Sequence, residues 1–311
     1  MFTYENLEKI GFTKEESDFI IGLVKDYSHR ITLLAEKYLD GAQKEMFVPY
    51  EEDQRNEAIG NAVAYTESVQ KALPEIDGYK SRFLGWLVCL PYLKQKFEKH
   101  GLCDDIFYES ARDFVYKLRE CKAVYGTDGF FVDWFFLFFD LKLFAFGRLQ
   151  YEIATFESEK YSCGPVELKK GDVVYSCHIP SGGRLSMEMC MESFQRAYDF
   201  FRPQLNGSVM PIVCDTWLFY EPYLDCVFPK GSNLEQFIKL FDIIHNTCTG
   251  DKFNDCWRVF DKMYEGNADN LPQDNTLRRN FVRYIKDGGD FGYGYGILLY
   301  DGEKREIISK K

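Results

Sequence analysis

The stretch VVYSCHIPSGGRLSMEMCMESFQRAYDFF, residues 173–201, joins two periodicities across a break. Val173, Tyr175, Cys177 and Ile179 share one face of a predicted strand. Pro180-Ser181-Gly182-Gly183 stops that strand. Ser186 then caps a helix whose core stripe is Met187, Cys190, Phe194, Ala197 and Phe201, at spacings of 3, 4, 3 and 4. A loop of this composition between strand and helix suits a ligand. Gly182 and Gly183 let the backbone approach a bulky group and take positive φ at little cost. The helix, opened by Leu185 or Ser186, turns unpaired N–H groups and a positive dipole end into the same space. A phosphate or pyrophosphate fits that chemistry, with Arg184 adding a charge-assisted contact. The competing reading is a plain strand-to-helix turn. The loop is neither a Walker loop nor the GxGxxG dinucleotide fingerprint, and no phosphate-cradling lysine motif accompanies it.

Outward from this stretch the second half of the chain alternates strands and helices. Arg148 to Ile153 alternates polar and apolar residues strictly, which predicts a half-buried strand. Residues 165–169 read as a short strand and 170–172 as a turn. Residues 212–220 read as another strand. Ser232 opens S-N-L-E, a capping box, with Phe237, Ile238, Phe241 and Ile244 continuing the helix. Residues 257–260 read as a strand, 276–287 as a helix closed by Gly288-Gly289, and 291–300 as a final strand. That last strand sets Gly292, Gly294 and Gly296 on one face, which implies close approach by another backbone or a ligand, a tightly packed helix being the commoner cause.

The first half reads as helices: residues 15–39, 56–73, 81–97 and 105–120, with the Gly126-Thr127-Asp128-Gly129 turn as the domain boundary and 130–143 as a very apolar helix. The fold class expected is α/β (α+β), a helical domain over residues 1–128 followed by a mixed sheet flanked by helices over 129–311. The 311 residues are 46% hydrophobic and 28% charged, the balance of a globular chain, and their 17% aromatic share predicts ring-rich cores. A net charge of −11 excludes a nucleic-acid-binding surface and gives no attraction to an anionic membrane. The segment FFVDWFFLFFDLKLFAF carries Asp133, Asp140 and Lys142, so it is a poor membrane span, and the start of the sequence does not read as a secretory signal. Ten cysteines include no CxxC pair and no Cys/His cluster, so neither a metal nor a disulfide framework is expected. An intracellular, cytoplasmic protein is expected.

GRLQYE (residues 147–152), HIPSGGRLS (178–186), CDTWLFYEPYL (214–224) and GSNLEQF (231–237) follow one another along the chain. In that order they resemble bacterial acyltransferase domain-containing proteins, which join a helical N-acyltransferase N-terminal domain to a GNAT-like C-terminal domain. The similarity extends upstream through residues 101–113 and GTDG, and downstream through LPQDNTLRR and the glycine-rich last strand. The first 80 residues match in helical character alone. The resemblance implies an acyl-coenzyme A site. The loop after the fourth strand of such a domain holds the pyrophosphate on backbone N–H groups, and pantetheine lies in a V-shaped split between that strand and the next. Carried onto this chain, Ser181, Gly182, Gly183, Arg184, Leu185 and Ser186 hold the pyrophosphate. Cys177 and Ile179 lie on one arm of the split, and residues 213–217 form the other. The usual loop signature of GNAT domains, Gln/Arg-x-x-Gly-x-Gly/Ala, is absent from PSGGRL.

N-acyl transfer needs a deprotonated amine, a polarised thioester carbonyl and a proton for the departing thiolate. The resemblance supplies no fixed catalytic residue. His178, at the end of the loop's strand, has the intrinsic pKa of a base, or it is a hydrogen-bonded strand end. Asp215 and Glu221 flank the facing strand and either hold an amine or stay exposed carboxylates. Tyr220 is a general acid or a core residue; Trp217 packs. The function expected is an acyl-coenzyme A-dependent N-acyltransferase acting on a small amine or a peptide amine, cationic if the acidic surface reaches the cleft. The alternative is a non-catalytic module that binds acyl-coenzyme A or another anion.

Overall fold

The computed structural model describes residues 1–41 and 45–309. The chain divides into two compact units, Met1–Phe146 and Gly147–Lys311. That division lies beyond the GTDG turn, where Gly126 caps a helix in the left-handed conformation.

The first unit is helical: α1 (Tyr4–Ile10), α2 (Lys14–Tyr27), α3 (Thr32–Gly41), α4 (Glu52–Ala72), α5 (Gly78–Lys99), α6 (Asp104–Ala111), α7 (Asp113–Tyr125) and the single turn α8 (Phe136–Phe139), followed by a strand β1 (Leu143–Phe146). The helix expected over residues 15–39 breaks into α2 and α3 at a 3₁₀ turn, Ser28–Arg30, and that over 105–120 breaks at Arg112. α5 is the core helix, with Phe83, Trp86, Leu87, Leu90 and Phe97 all buried.

The apolar segment 130–143 is not the continuous helix its composition predicts. The Phe130 amide donates to the Tyr79 carbonyl (3.0 Å), which pins the chain in an extended path before α8. Its rings then enter the core singly: Phe130 lies 4.9 Å from Phe83, and Phe135 lies 4.6 Å from Phe114. Packing of separate rings replaces helical periodicity here, since each phenylalanine buries a large area whatever its backbone does. No helix among the described residues is long and apolar enough to cross a membrane.

The second unit is built on a twisted mixed sheet. Its strands are β2 (Leu149–Thr155), β5 (Val173–His178), β6 (Val209–Thr216), β7 (Asp242–Gly250), β8 (Phe291–Asp301) and β9 (Glu306–Ile307), with β3 (Lys160–Cys163) and β4 (Val166–Lys169) forming a separate hairpin. The order is β2-β5-β6-β8-β7, and β9 pairs with the far end of β8. Neighbours run antiparallel except β5 and β6, which are parallel and joined through α9 (Met187–Phe201). α9 packs its predicted stripe on one face, with Phe201 4.4 Å from Tyr175 and Phe194 5.8 Å from Tyr300. The other face packs against the hairpin through Phe156, Leu168, Val174, Val213, Ile297 and Leu299.

Short helices α10 (Glu221–Leu224), α11 (Asn233–Ile238), α12 (Cys256–Phe260) and α13 (Thr276–Lys286) complete the unit. Three expectations change. Residues 257–260 lie in α12, because an apolar run this short carries no period to separate strand from helix. The helix from Ser232 ends at Ile238, and Ile244 belongs to β7, which takes the edge of β8. The strand expected over 212–220 ends at Thr216, and Trp217–Phe219 is a 3₁₀ turn. That turn accounts for the glycine face of β8. A Cβ on Gly294 would meet the Phe219 carbonyl oxygen at 2.4 Å, and one on Gly292 would meet the Tyr220 ring at 2.4 Å. Backbone and rings of the chain itself, not a ligand, occupy that face.

Candidate active site at the strand fork

β5 and β6 pair at only two positions, Tyr175 with Ile212 and Ser176 with Val213. Each then continues against its outer neighbour: His178 stays opposite Gln150 of β2, and Thr216 opposite Gly294 of β8. The two strands therefore part while remaining ordered. Their facing edges over Cys177–His178 and Cys214–Thr216 are released from each other and offer backbone groups to an extended guest. Cys177 is buried on its arm, and burial pushes its thiol well up. Ile179, half-buried, follows the last residue of β5.

The PSGG loop leaves the tip of β5. Its shape is set from beneath by Arg148, a buried residue of the GRLQYE run. The Arg148 guanidinium donates to three loop carbonyls: Pro180 (2.8 Å), Gly183 (3.1 Å) and Arg184 (3.1 Å). In a trans peptide the C=O of one residue and the N–H of the next point in opposite directions. No peptide bond among the described residues is cis. Fixing these carbonyls toward Arg148 therefore turns the N–H groups of Ser181, Arg184 and Leu185 away from it. Gly183 takes φ +97°, which only glycine adopts cheaply, and a Cβ there would meet nothing within 4 Å. Gly182 tightens the turn by donating to Pro180 (2.8 Å). Leu185 is buried and anchors the loop, and Ser186 Oγ accepts from the Met189 amide (3.3 Å) as the N-cap of α9. The N–H groups of Ser181, Arg184 and Leu185 lie just ahead of the N-terminus of the fifteen-residue α9, an arrangement whose chemistry suits an anion.

A polar group gathers on the sheet face opposite α9. His178 and Asp215 lie two residues beyond the paired Ser176 and Val213, so they occupy the same face on the two parting arms. His178 Nε2 lies 3.1 Å from Oε2 of Glu152. The Glu152 side chain is only 3% exposed, against 42% for His178, so a buried carboxylate backs a ring open to the site. Asp215 has its carboxyl pushed up to about 6, first by desolvation and then by the Glu157 and Asp255 carboxylates, with His178 opposing. Tyr295 stands opposite Asp215 in the β6–β8 register and is buried, and burial raises its phenol.

The other two expected residues lie apart from this group. Tyr220 is buried against Gly292 and donates to Asp290 Oδ1 (2.9 Å), a carboxylate that also accepts from Cys248 Sγ (3.0 Å). Glu221 is exposed at the start of α10, its amide bonded to Asn246 Oδ1 (2.7 Å). Trp217 packs on Phe228 and Phe281, with ring centroids 5.9 and 5.7 Å away. Arg148, Glu152 and Tyr295 join the site without having been predicted. Strict alternation assigned Arg148, Gln150 and Glu152 to a solvent face, yet all three are buried. The signal that finds them is chemical: charged residues at alternate positions of a strand beside the loop motif. Among the described residues, no three or more His, Cys, Asp or Glu side chains group as a metal site.

Comparison with known proteins then gives one family. The sequence model of the GNAT-like C-terminal domain matches residues 143–298. No curated protein matches the sequence. Among solved structures, an acyltransferase in complex with decanoyl-CoA is similar at 18% identity, over 95% of this chain and 83% of that one, with a TM-score of 0.60. An acyltransferase in complex with decanoyl-CoA and teicoplanin is similar at 18% identity and a TM-score of 0.60, over 94% of this chain and 98% of that one. At these identities the likeness is one of fold.

Proposed function

This chain belongs to the family defined by the GNAT-like C-terminal domain, and from that premise we propose that it is an acyl-coenzyme A-dependent N-acyltransferase. The observation that carries the reading is the three-carbonyl grip of Arg148 on the loop, which turns N–H groups outward at the mouth of the fork. Ser181, Arg184, Leu185 and the first turn of α9 bind the pyrophosphate, and the released edges of β5 and β6 take the pantetheine arm by backbone hydrogen bonds. Structural neighbours solved with decanoyl-CoA support this acyl donor.

His178 takes the proton of the acceptor ammonium, with Glu152 orienting the ring and balancing the imidazolium that forms. The freed amine attacks the thioester carbonyl carbon, the C–N bond forms and the C–S bond breaks. The departing thiolate leaves as the thiol of coenzyme A, taking through water the second proton that the attacking nitrogen sheds on becoming an amide. Asp215, ionised above about pH 6, holds the incoming ammonium. Carboxylates at residues 152, 157, 215 and 255 favour a cationic acceptor, a small amine or a peptide amine, and the teicoplanin complex of one neighbour supports a peptide acceptor. The reaction belongs to the cytoplasmic pool of acyl-coenzyme A.

The test is thermal-shift titration with coenzyme A and acyl-coenzyme A of increasing chain length, followed by thiol release with a panel of amines. Saturation at about a hundred times the dissociation constant stabilises the fold by roughly 2.7 kcal/mol. His178→Ala lowers transfer by about 100-fold with coenzyme A affinity kept. Binding without thiol release from any amine makes the protein a binding module; no binding at all sinks the loop assignment as well.

A further inference from the structure

The helical unit contains a cavity of about 590 Å³ between α3 and α4, remote in sequence from the fork and not used by the acyl-transfer reading. That volume suits a small organic molecule. Its walls include Tyr38, Tyr50, Tyr65, Glu57, Asn61 and Asp140.

The rings are held rather than loose. Tyr38 and Tyr65 stack at 4.7 Å, and Trp86 meets both edge-on at 5.5 Å. Tyr65 Oη is fixed by donating to the Gly85 carbonyl (2.7 Å). Asp140 is buried among them and accepts from Tyr50 Oη. Burial and the Asp140 charge together hold the phenols of Tyr38 and Tyr50 protonated. Lys142, two residues after Asp140, donates its ammonium to the carbonyls of Glu45 (2.6 Å) and Val48, lies 5.2 Å from the Tyr50 ring centroid and also interacts with the Asp140 charge. Lys142 does not line the cavity, and among the described lining residues two carboxylates, Glu57 and Asp140, stand with the ammonium of Lys37.

Ring faces attract cations through their quadrupoles, and a buried carboxylate among them attracts cations over neutral or anionic guests. We propose that this cavity is a binding site for a small organic ammonium, an aryl- or alkylamine whose charged end faces Asp140 and whose apolar body lies on Tyr38.

Isothermal titration calorimetry on the full chain tests this with three probes of one shape: phenethylammonium, neutral 2-phenylethanol and phenylacetate. The ammonium binds about tenfold more tightly than the alcohol, and phenylacetate binds weakest. Asp140→Asn removes the preference for charge. Because that residue is buried, Tyr38→Leu and Glu57→Gln serve as more exposed variants, and each weakens the ammonium several-fold. Asp215→Asn at the fork leaves this binding unchanged. Equal affinity for alcohol and ammonium, tighter binding of phenylacetate, or no heat from the ammonium at concentrations on the order of 10 mM overturns the proposal. So does an affinity lost in Asp215→Asn and kept in Tyr38→Leu, which puts the amine at the fork.

Discussion

A Cβ added to Gly183 would meet no atom within 4 Å, whereas one added to Gly294 would lie 2.4 Å from the Phe219 carbonyl oxygen. Both residues belong to glycine-rich stretches of the same sheet unit, and both read in sequence as places of close approach. At Gly292, Gly294 and Gly296 the approach has already happened: the turn after β6 crosses the strand and fills the space. At Gly183 the space is open, the backbone is left-handed, and a buried arginine fixes the neighbouring carbonyls. Glycine density alone does not distinguish a packing solution from an open loop. What each missing side chain would touch does distinguish them.

The largest expected effect breaks the packed half of this comparison. Gly294→Ala forces a methyl group into backbone and costs about 3 kcal/mol, lowering Tm by on the order of 5–10 °C in a thermal melt. Gly183→Ala pays only the strain of positive φ, about 1 kcal/mol. Similar melting temperatures for the two variants would erase the distinction.

Arg148→Met comes next. It removes three hydrogen bonds from the loop carbonyls and frees the outward N–H groups to turn, so coenzyme A affinity falls about 30-fold, or ~2 kcal/mol, by calorimetry. Retained affinity would mean the loop holds its shape without the guanidinium. Gly183→Val, a branched side chain at φ +97°, weakens coenzyme A about tenfold in a protein that still folds.

The smallest effect concerns Asp215. Its folded-state pKa is raised to about 6, above the roughly 3.9 of an unperturbed aspartate, so the folded protein holds this proton more tightly than the unfolded chain. The stability it contributes is full below pH ~4 and is lost as pH rises through about 6. Asp215→Asn flattens that part of a stability–pH curve. It also removes the rise in transfer rate through pH ~6, visible in initial-rate profiles. An unchanged rate profile would take Asp215 out of the site.

Part of the site was legible because it is local. The strand, the glycine break and the Ser186 cap all fall within residues 173–201, and short-range periodicity and capping chemistry specify them. His178 was singled out at the end of the strand before that break, and Asp215 as a carboxylate flanking the facing strand. Tyr220 and Glu221 were drawn in by sequence proximity to Asp215, but the 3₁₀ turn at Trp217–Phe219 carries them toward Asp290 and Asn246 instead. Arg148 and Glu152 escaped because alternation reports only which residues share a face. It does not say whether the polar face meets water.

By itself the sequence determined a helical first part, a mixed-sheet second part and a strand–loop–helix unit over residues 173–201, since each rests on spacings within a few residues. Only the tertiary structure decided that β5 and β6 part after two paired positions, that Glu152 stands behind His178, and that the apolar run 130–143 enters a core as separate rings. Those outcomes depend on which distant strand or helix claims an edge or a face, a competition settled by packing energy over the whole unit and invisible in any one window of residues.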